Sequence, residues 1–364
     1  MKSTYTFPVA THSYFRAINR DAERARFVSS ADKSSPTFVY PKYFNLETVA
    51  ARQMQVHTDS DEYKALEIVL SGVRLQKDVN ELAHFRELNT AAFGTPDSSY
   101  AKMILTRILS RTSSKTDVYA KEVLDLLGNP RLSSERIGPS HEIFQLYKDY
   151  FSKYRVAKSG TKLNTEDAIK AELVHSGLDQ KGWELQMLVG NSHARVNHNA
   201  KKVRIGEHYV PRSPRAAERI AVHEVYGHAL RGCQVSTGES EGFAILLEQL
   251  LDDVFKPRRS YRYLAACIGW GIFGTPKSFA ETFEVMWRLM VIGSGYSKRD
   301  ARMHAFDECY RVYRGGSPDL AGAVYLKDTV YFASNIAMWK LLSNQKLSYN
   351  EFVDIIEGRR ALLI

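Results

Sequence analysis

The strongest constraint on the fold is a change of rhythm along the chain. From Leu46 to about Leu127, apolar residues recur at spacings of three and four in LETVAARQMQ, SDEYKALEIVLSGVRLQKDVNELAHFREL and SSYAKMILTRILSR, the pattern of amphipathic helices. Gly94-Thr95-Pro96-Asp97 and Ser113-Ser114-Lys115-Thr116 supply the ends and starts between them. Between about Trp183 and Arg212 the pattern shortens to WELQMLVG and HARVNHNAKKVRIGEHYV, where Val196, Val203, Ile205 and Tyr209 stand among polar residues, as in short half-buried strands. Ser213-Pro214-Arg215-Ala216-Ala217-Glu218 then starts a helix, with a serine cap and proline at the first position, and helical spacing continues to the end. The order implies an α+β protein: a mainly helical body with a small antiparallel sheet beside a helix pair. Residues 1–45, with turn formers such as SSADKSSP at 29–36, read as an extended lead-in; 46–160 form a helical N-terminal part and 161–364 a catalytic part.

Composition narrows the function classes. With 364 residues, 44% of them hydrophobic and 25% charged, the chain has ample material for a core, and collagenous, mucin-like or low-complexity architectures are excluded. Its longest apolar runs, near Tyr263 to Phe273 and Val285 to Gly293, fall short of the roughly 20 residues of a spanning helix, so no membrane partner is expected. The opening MKSTYTFPVATHSYFRAINR has no apolar stretch long enough for a signal-peptide core. Cys233, Cys267 and Cys309 are an odd, sparse set that fits reduced thiols and a cytoplasmic location. Fifty Lys and Arg against 41 Asp and Glu leave a charge of 50 − 41 = +9, which favours acidic partners. No helix-turn-helix, RNP-like or Cys/His finger pattern directs that charge to nucleic acid. The sequence says nothing of oligomeric state.

The stretch that carries chemistry is His223-Glu224-Val225-Tyr226-Gly227-His228. Two histidines flanking a glutamate suggest a zinc site in which the imidazoles hold the metal and Glu224 activates its water. The spacing is five rather than the usual four. On an ideal α-helix an i, i+5 pair lies about 140° apart, too far for one ion. A π-turn of about 4.4 residues advances five residues by about 410° and returns the rings to within about 50°. Gly227 is placed to permit that distortion. After Arg231-Gly232 the polar turn QVSTGES leads into EGFAILLE, a second helix expected to run back antiparallel to the first. It brings a carboxylate as third ligand and leaves a fourth position for water. Glu239, Glu241 and Glu248 all compete for that role on spacing alone.

HEVYGH followed by SEGFA resembles the HExxxH and (Q/E)EGLA pair of the family that includes the microtubule-associated tyrosine carboxypeptidases and the bacterial QEGLA-motif proteins. The resemblance extends to ELNT at 87–90 and GTP at 94–96, and to YRVYRGG at 310–316 and YLKDTVY at 325–331, which look like the family's R-x-x-R-G and F-x-K-D-x-x-Y elements. It spans roughly residues 85 to 345, with specific motifs from about 220 to 331. Gly227 stands where the family usually has threonine, Ser240 replaces an acidic residue and Phe243 a leucine; none of these is a ligand.

The resemblance implies one zinc per chain held by His223, His228 and Glu241, with Glu224 as catalytic base. It implies substrate binding by Arg311, Arg314, Lys327 and Tyr331, the basic groups recognising a C-terminal carboxylate or an acidic tail. Tyr226, Tyr325 and Tyr331 are candidate donors to the tetrahedral oxyanion, against a plain reading as core or surface aromatics. The segment HARVNHNAKKVRIGE is an ordinary hairpin or an edge strand that pairs with substrate, with Asn199-Ala200 near the metal. The implied activity is a zinc metallocarboxypeptidase, a hydrolase removing a C-terminal Tyr or Phe from peptide or protein tails, acidic tubulin-like tails among them. The alternative is a non-catalytic zinc-containing regulatory or peptide-binding protein.

Overall fold

The computed structural model describes residues 17–29, 34–40, 46–55, 61–133, 135, 138–155, 164–189, 194–207, 209, 211, 213–232, 237–254 and 259–360. Its helices begin with α1 (Arg20–Ser29), α2 (Leu46–Gln53), α3 (Asp61–Leu75), α4 (Leu82–Phe93), α5 (Ser98–Leu109), α6 (Asp117–Leu126), α7 (His141–Tyr154) and α8 (Thr165–His175). Strands β1 (Glu184–Leu188), β2 (Ala194–Asn197) and β3 (Lys202–Gly206) follow. Then come α9 (Pro214–Val222), a π-helical segment (His223–Ala229), α10 (Thr237–Asp252), α11 (Ser260–Trp270), α12 (Phe279–Ser294), α13 (Lys298–Tyr313), α14 (Lys327–Gln345) and α15 (Tyr349–Ile356). The protein is therefore α+β, mainly helical with one three-stranded sheet.

The chain forms two compact units that interleave along the sequence, one from residues 138–258 and 331–364, the other from 5–137 and 259–330. This differs from the three consecutive segments that composition and periodicity suggest. The stretch expected as an extended lead-in contains α1, because Phe27 is buried and supplies an apolar anchor. Its ring meets those of Phe279 and Phe283 edge-on, with centroids 5.4 and 4.7 Å apart. Residues 1–16, 30–33 and 41–45 of that lead-in, and Cys233, lie outside the described residues. Cys267 and Cys309 are buried free thiols, and burial raises the pKa of both. Among the described residues, no helix is long and apolar enough to cross a membrane.

The sheet departs from the expected antiparallel form. Its order is β1-β3-β2; β2 and β3 pair antiparallel, but β1 pairs with β3 in parallel. Alternation decides which face of a strand is buried and not its direction, so both pairings put the same residues inward. Val203 and Ile205 are buried, with Leu185, Ala194 and Val196 packed against the same core. That core joins Phe144, Tyr147 and Phe151 of α7 to Val225 and Tyr226 of the π segment, Phe243 and Leu246 of α10, Trp339 and Leu342 of α14, and Phe352 of α15. Burying each large apolar side chain contributes about 1.5–3 kcal/mol.

Local signals set the boundaries around this core. Ser140, Asn164 and Ser213 each accept a backbone N–H in the first turn of α7, α8 and α9, and Ser348 forms a capping box with Glu351 at α15. The buried hydroxyl of Tyr147 donates to Leu342 O at 3.1 Å and accepts from Leu347 N at 2.9 Å, holding the connection between α14 and α15. Replacing Tyr147 with Phe leaves the buried Leu347 N–H without its acceptor, while Leu342 O keeps its bond from Lys346 N. The expected loss is about 1–3 kcal/mol of stability, read as a lower denaturation midpoint at unchanged slope.

Candidate metal centre

The histidine pair sits where the helix changes pitch. Ser213 caps α9 through Ala216 N at 3.2 Å, with Pro214 in the first turn, as the sequence motif implies. From His223 to Ala229 the chain winds as a π-helix, and Leu230 N bonds back to Val225 O, five residues earlier, at 2.8 Å. This extra residue per turn brings His223 Nε2 and His228 Nε2 to 3.2 Å. Gly227 has a different task from the one expected. Its φ is not in the left-handed range; instead, a Cβ there would lie 2.4 Å from Ala244 Cβ and 2.9 Å from Ala244 Cα. Glycine is needed because the π segment and α10 approach backbone to backbone.

The same approach delivers the third ligand candidate. Glu241 Oε2 lies 3.5 Å from His223 Nε2 and 3.9 Å from His228 Nε2. Ligands about 2.0–2.1 Å from a tetrahedral zinc stand about 3.3 Å apart, so separations of 3.2, 3.5 and 3.9 Å fit one ion among His223, His228 and Glu241. Adjoining Glu241, Gly242 allows close contact with α14, since a Cβ would fall 2.6 Å from Ser334 O. Gln249 Oε1 accepts from Asn335 Nδ2 and Trp339 Nε1, both at 2.8 Å, fixing α10 against α14.

Both imidazoles are oriented from behind. A carboxylate only accepts, so His223 Nδ1–H donates to Glu248 Oε1 at 2.7 Å and leaves Nε2 toward the ligand cluster. Ser240 Oγ donates to Gly227 O at 3.3 Å and accepts from His228 Nδ1 at 2.5 Å, which orients His228 in the same sense. Such partners fix tautomer and ring direction in metal sites. The three glutamates that spacing left equivalent thus take three roles. Glu241 faces both Nε2 atoms and Glu248 backs His223. Glu239 Oε1 pairs with the buried Arg231 at 2.6 Å.

Glu224 is buried beside this cluster. Burial pushes its pKa up to about 7; the charge of His223 opposes the rise, and Glu241 and Glu248 reinforce it. For His223, burial favours the neutral ring, but hydrogen bonds to Glu241 and Glu248 and the charges of Glu248 and Glu224 outweigh it and raise the pKa to about 10. His228 is brought down to about 4, chiefly by burial, with Glu241 opposing. Without a metal ion, a proton on His223 balances the surrounding carboxylates. A dication at the cluster would displace that proton, so that metal binding would be coupled to proton release.

The other expected site residues divide between the two units. Arg311, Arg314 and Lys327 belong to the unit containing 259–330, whereas Tyr331 belongs with the histidines. Arg311 Nη2 and Arg314 Nη2 lie 3.3 and 3.1 Å from the two carboxylate oxygens of Asp328, which is buried. Lys327 is also buried. Tyr226 is a core residue whose hydroxyl donates to Glu172 Oε2 at 2.7 Å, and Tyr325 is buried in the core of the other unit. Residues 194–206 form a hairpin in which β2 is a sheet edge, with Asn199 and Ala200 in its turn. Spacing alone does not mark Ser240 as an orienting group and offers Glu248 only as a ligand. Its signal was the seven-residue interval from Glu241, two helical turns along one face.

No family model, curated protein or solved structure matches the chain.

Two substitutions test that geometry. Glu248→Gln should weaken zinc binding by about 10- to 100-fold while the fold is kept, measured by competition with a chromophoric chelator. Gly227→Ala should cost about 1–3 kcal/mol by overpacking against Ala244, and should lower zinc affinity further than an alanine at an exposed α9 position such as Arg215.

Proposed function

We propose that the protein is a zinc-dependent carboxypeptidase that removes a C-terminal residue, Tyr or Phe, from acidic peptide or protein tails in the cytoplasm. The observation that carries this reading is the convergence of His223 Nε2, His228 Nε2 and Glu241 Oε2 within 3.9 Å beside the buried Glu224. These residues occupy the matching positions of the HEVYGH and SEGFA motifs, whose resemblance to the tyrosine carboxypeptidase family supplies the choice of substrate end.

Zinc bound there supplies a Lewis acid for the scissile carbonyl and an acidified water. Glu224 takes the proton from the attacking water and delivers it to the departing amine. Burial of its carboxyl favours the protonated form that stands between the two halves of that transfer. Glu248 and Ser240 hold the two imidazoles in place, and burial of Glu224 limits competing solvation. Arg311, Arg314, Lys327 and Tyr331 carry over from the resemblance as the substrate-binding set, and the surplus of basic residues favours acidic tails.

The test is incubation of the zinc-loaded protein with peptides of varied C-terminal residue, products being read by mass. The expected result is loss of one terminal Tyr or Phe, abolished by chelation and restored by zinc. Glu224→Gln should keep about one zinc per chain yet lose about 10²- to 10⁴-fold in rate. Zinc binding without cleavage of any peptide would favour the regulatory, peptide-binding alternative, and failure to bind zinc would exclude both.

A further inference from the structure

Most basic residues near the candidate metal centre have a carboxylate partner. Lys202 Nζ lies 3.0 Å from Glu184, Arg215 contacts Glu218 at 2.6 Å and Asp252 at 3.0 Å, and Arg219 contacts Asp252 at 2.9 Å. Arg195 and Arg204 do not follow this rule. They stand directly opposite each other in the β2–β3 pairing, so both project from one face of the sheet. That face is turned from the core, because Val196, Val203 and Ile205 at the alternate positions pack inward.

Arg204 Nε donates to Gln186 Oε1 at 2.8 Å. Arg195 Nε is buried and has no hydrogen-bond partner among the described residues. Burial and the charge of Arg204 both lower the pKa of Arg195. The sequence from Val189 to Gly206 contains no Asp or Glu, while it holds Arg195, Lys201, Lys202 and Arg204. Like charges directly opposite on neighbouring strands destabilise a sheet, and a buried N–H without an acceptor adds to the cost. An oxyanion bound by both guanidinium groups would offset the repulsion and provide acceptors for the unused donors.

We propose that Arg195 and Arg204 form a binding site for one oxyanion group, a carboxylate or a phosphate, on the outer face of the sheet. The site uses none of the metal-ligating residues and stands whether or not the protein is a peptidase.

The test is calorimetric titration of the full zinc-loaded chain with inorganic phosphate and, separately, with glutarate, which distinguishes the two anion chemistries. Saturable binding of one anion per chain is expected, weakening as salt rises. Arg195→Gln and Arg204→Gln should each lower affinity by at least about tenfold, and Arg195→Lys, which keeps the charge and loses the planar fork, should fall between. In anion-free buffer, Arg195→Gln should raise the melting temperature by relieving the repulsion. The proposal is overturned by no saturable binding of either probe, by affinity unchanged in both glutamine variants, or by binding that disappears when the metal is removed. A lower melting temperature for Arg195→Gln in anion-free buffer would also overturn it, since Arg195 would then have an internal partner.

Discussion

The candidate centre depends on one backbone contact, the approach of the π segment to α10 at Gly227 and Ala244. Side chains cannot substitute for it. With any Cβ at position 227 the two segments must separate, and the cluster distances of 3.2 to 3.9 Å leave little room for that. The π-turn and the close contact are complementary: the first rotates His228 back toward His223, and the second brings Glu241 opposite both. Gly242 repeats the device on the adjoining face of α10, where the backbone of α14 comes near. The centre is therefore held between two glycine-permitted contacts, and its precision comes from main-chain packing more than from hydrogen bonds.

Charge organises what packing brings together. Glu224, Glu241 and Glu248 all act on His223 in a space largely removed from water. Three carboxylates around one imidazole would be costly without positive charge nearby. His223 meets part of that need as an imidazolium, and a dication would meet more of it. Glu239, by contrast, is matched by Arg231, whose guanidinium also lies 4.5 Å from the Phe243 ring centroid. The acidic residues near α10 thus divide into a set already compensated within the protein and a set that calls for a cation.

Much of this centre was legible in the sequence because its governing constraint is local. The interval from His223 to His228 implies a π-turn by rotation alone, and Ser213-Pro214 marks the start of its helix without reference to any distant residue. Glu239, Glu241 and Glu248 could not be separated in the same way, since their roles depend on which neighbour each meets: Arg231, the paired Nε2 atoms, or His223 Nδ1. The direction of β1 was likewise hidden, because parallel and antiparallel pairing bury the same Leu185 and Val203. Helix α1 escaped notice among turn formers, its burial resting on Phe27 and partners some 250 residues away. The pairing of Arg311 and Arg314 with Asp328 is also non-local and has no periodic signature.

The interleaving of the two units sets an order on events during synthesis. Tyr226 and Phe243 share their core with Trp339 and Phe352, which the ribosome adds only after the whole of residues 259–330 has been synthesised. The nascent chain therefore carries both histidines and Glu241 for some time before their supporting core can close. The later segment must then join a partly formed unit across a long loop, whose closure entropy has to be met before those contacts stabilise it. The metal ligands come early in translation, but the environment that positions them is completed late.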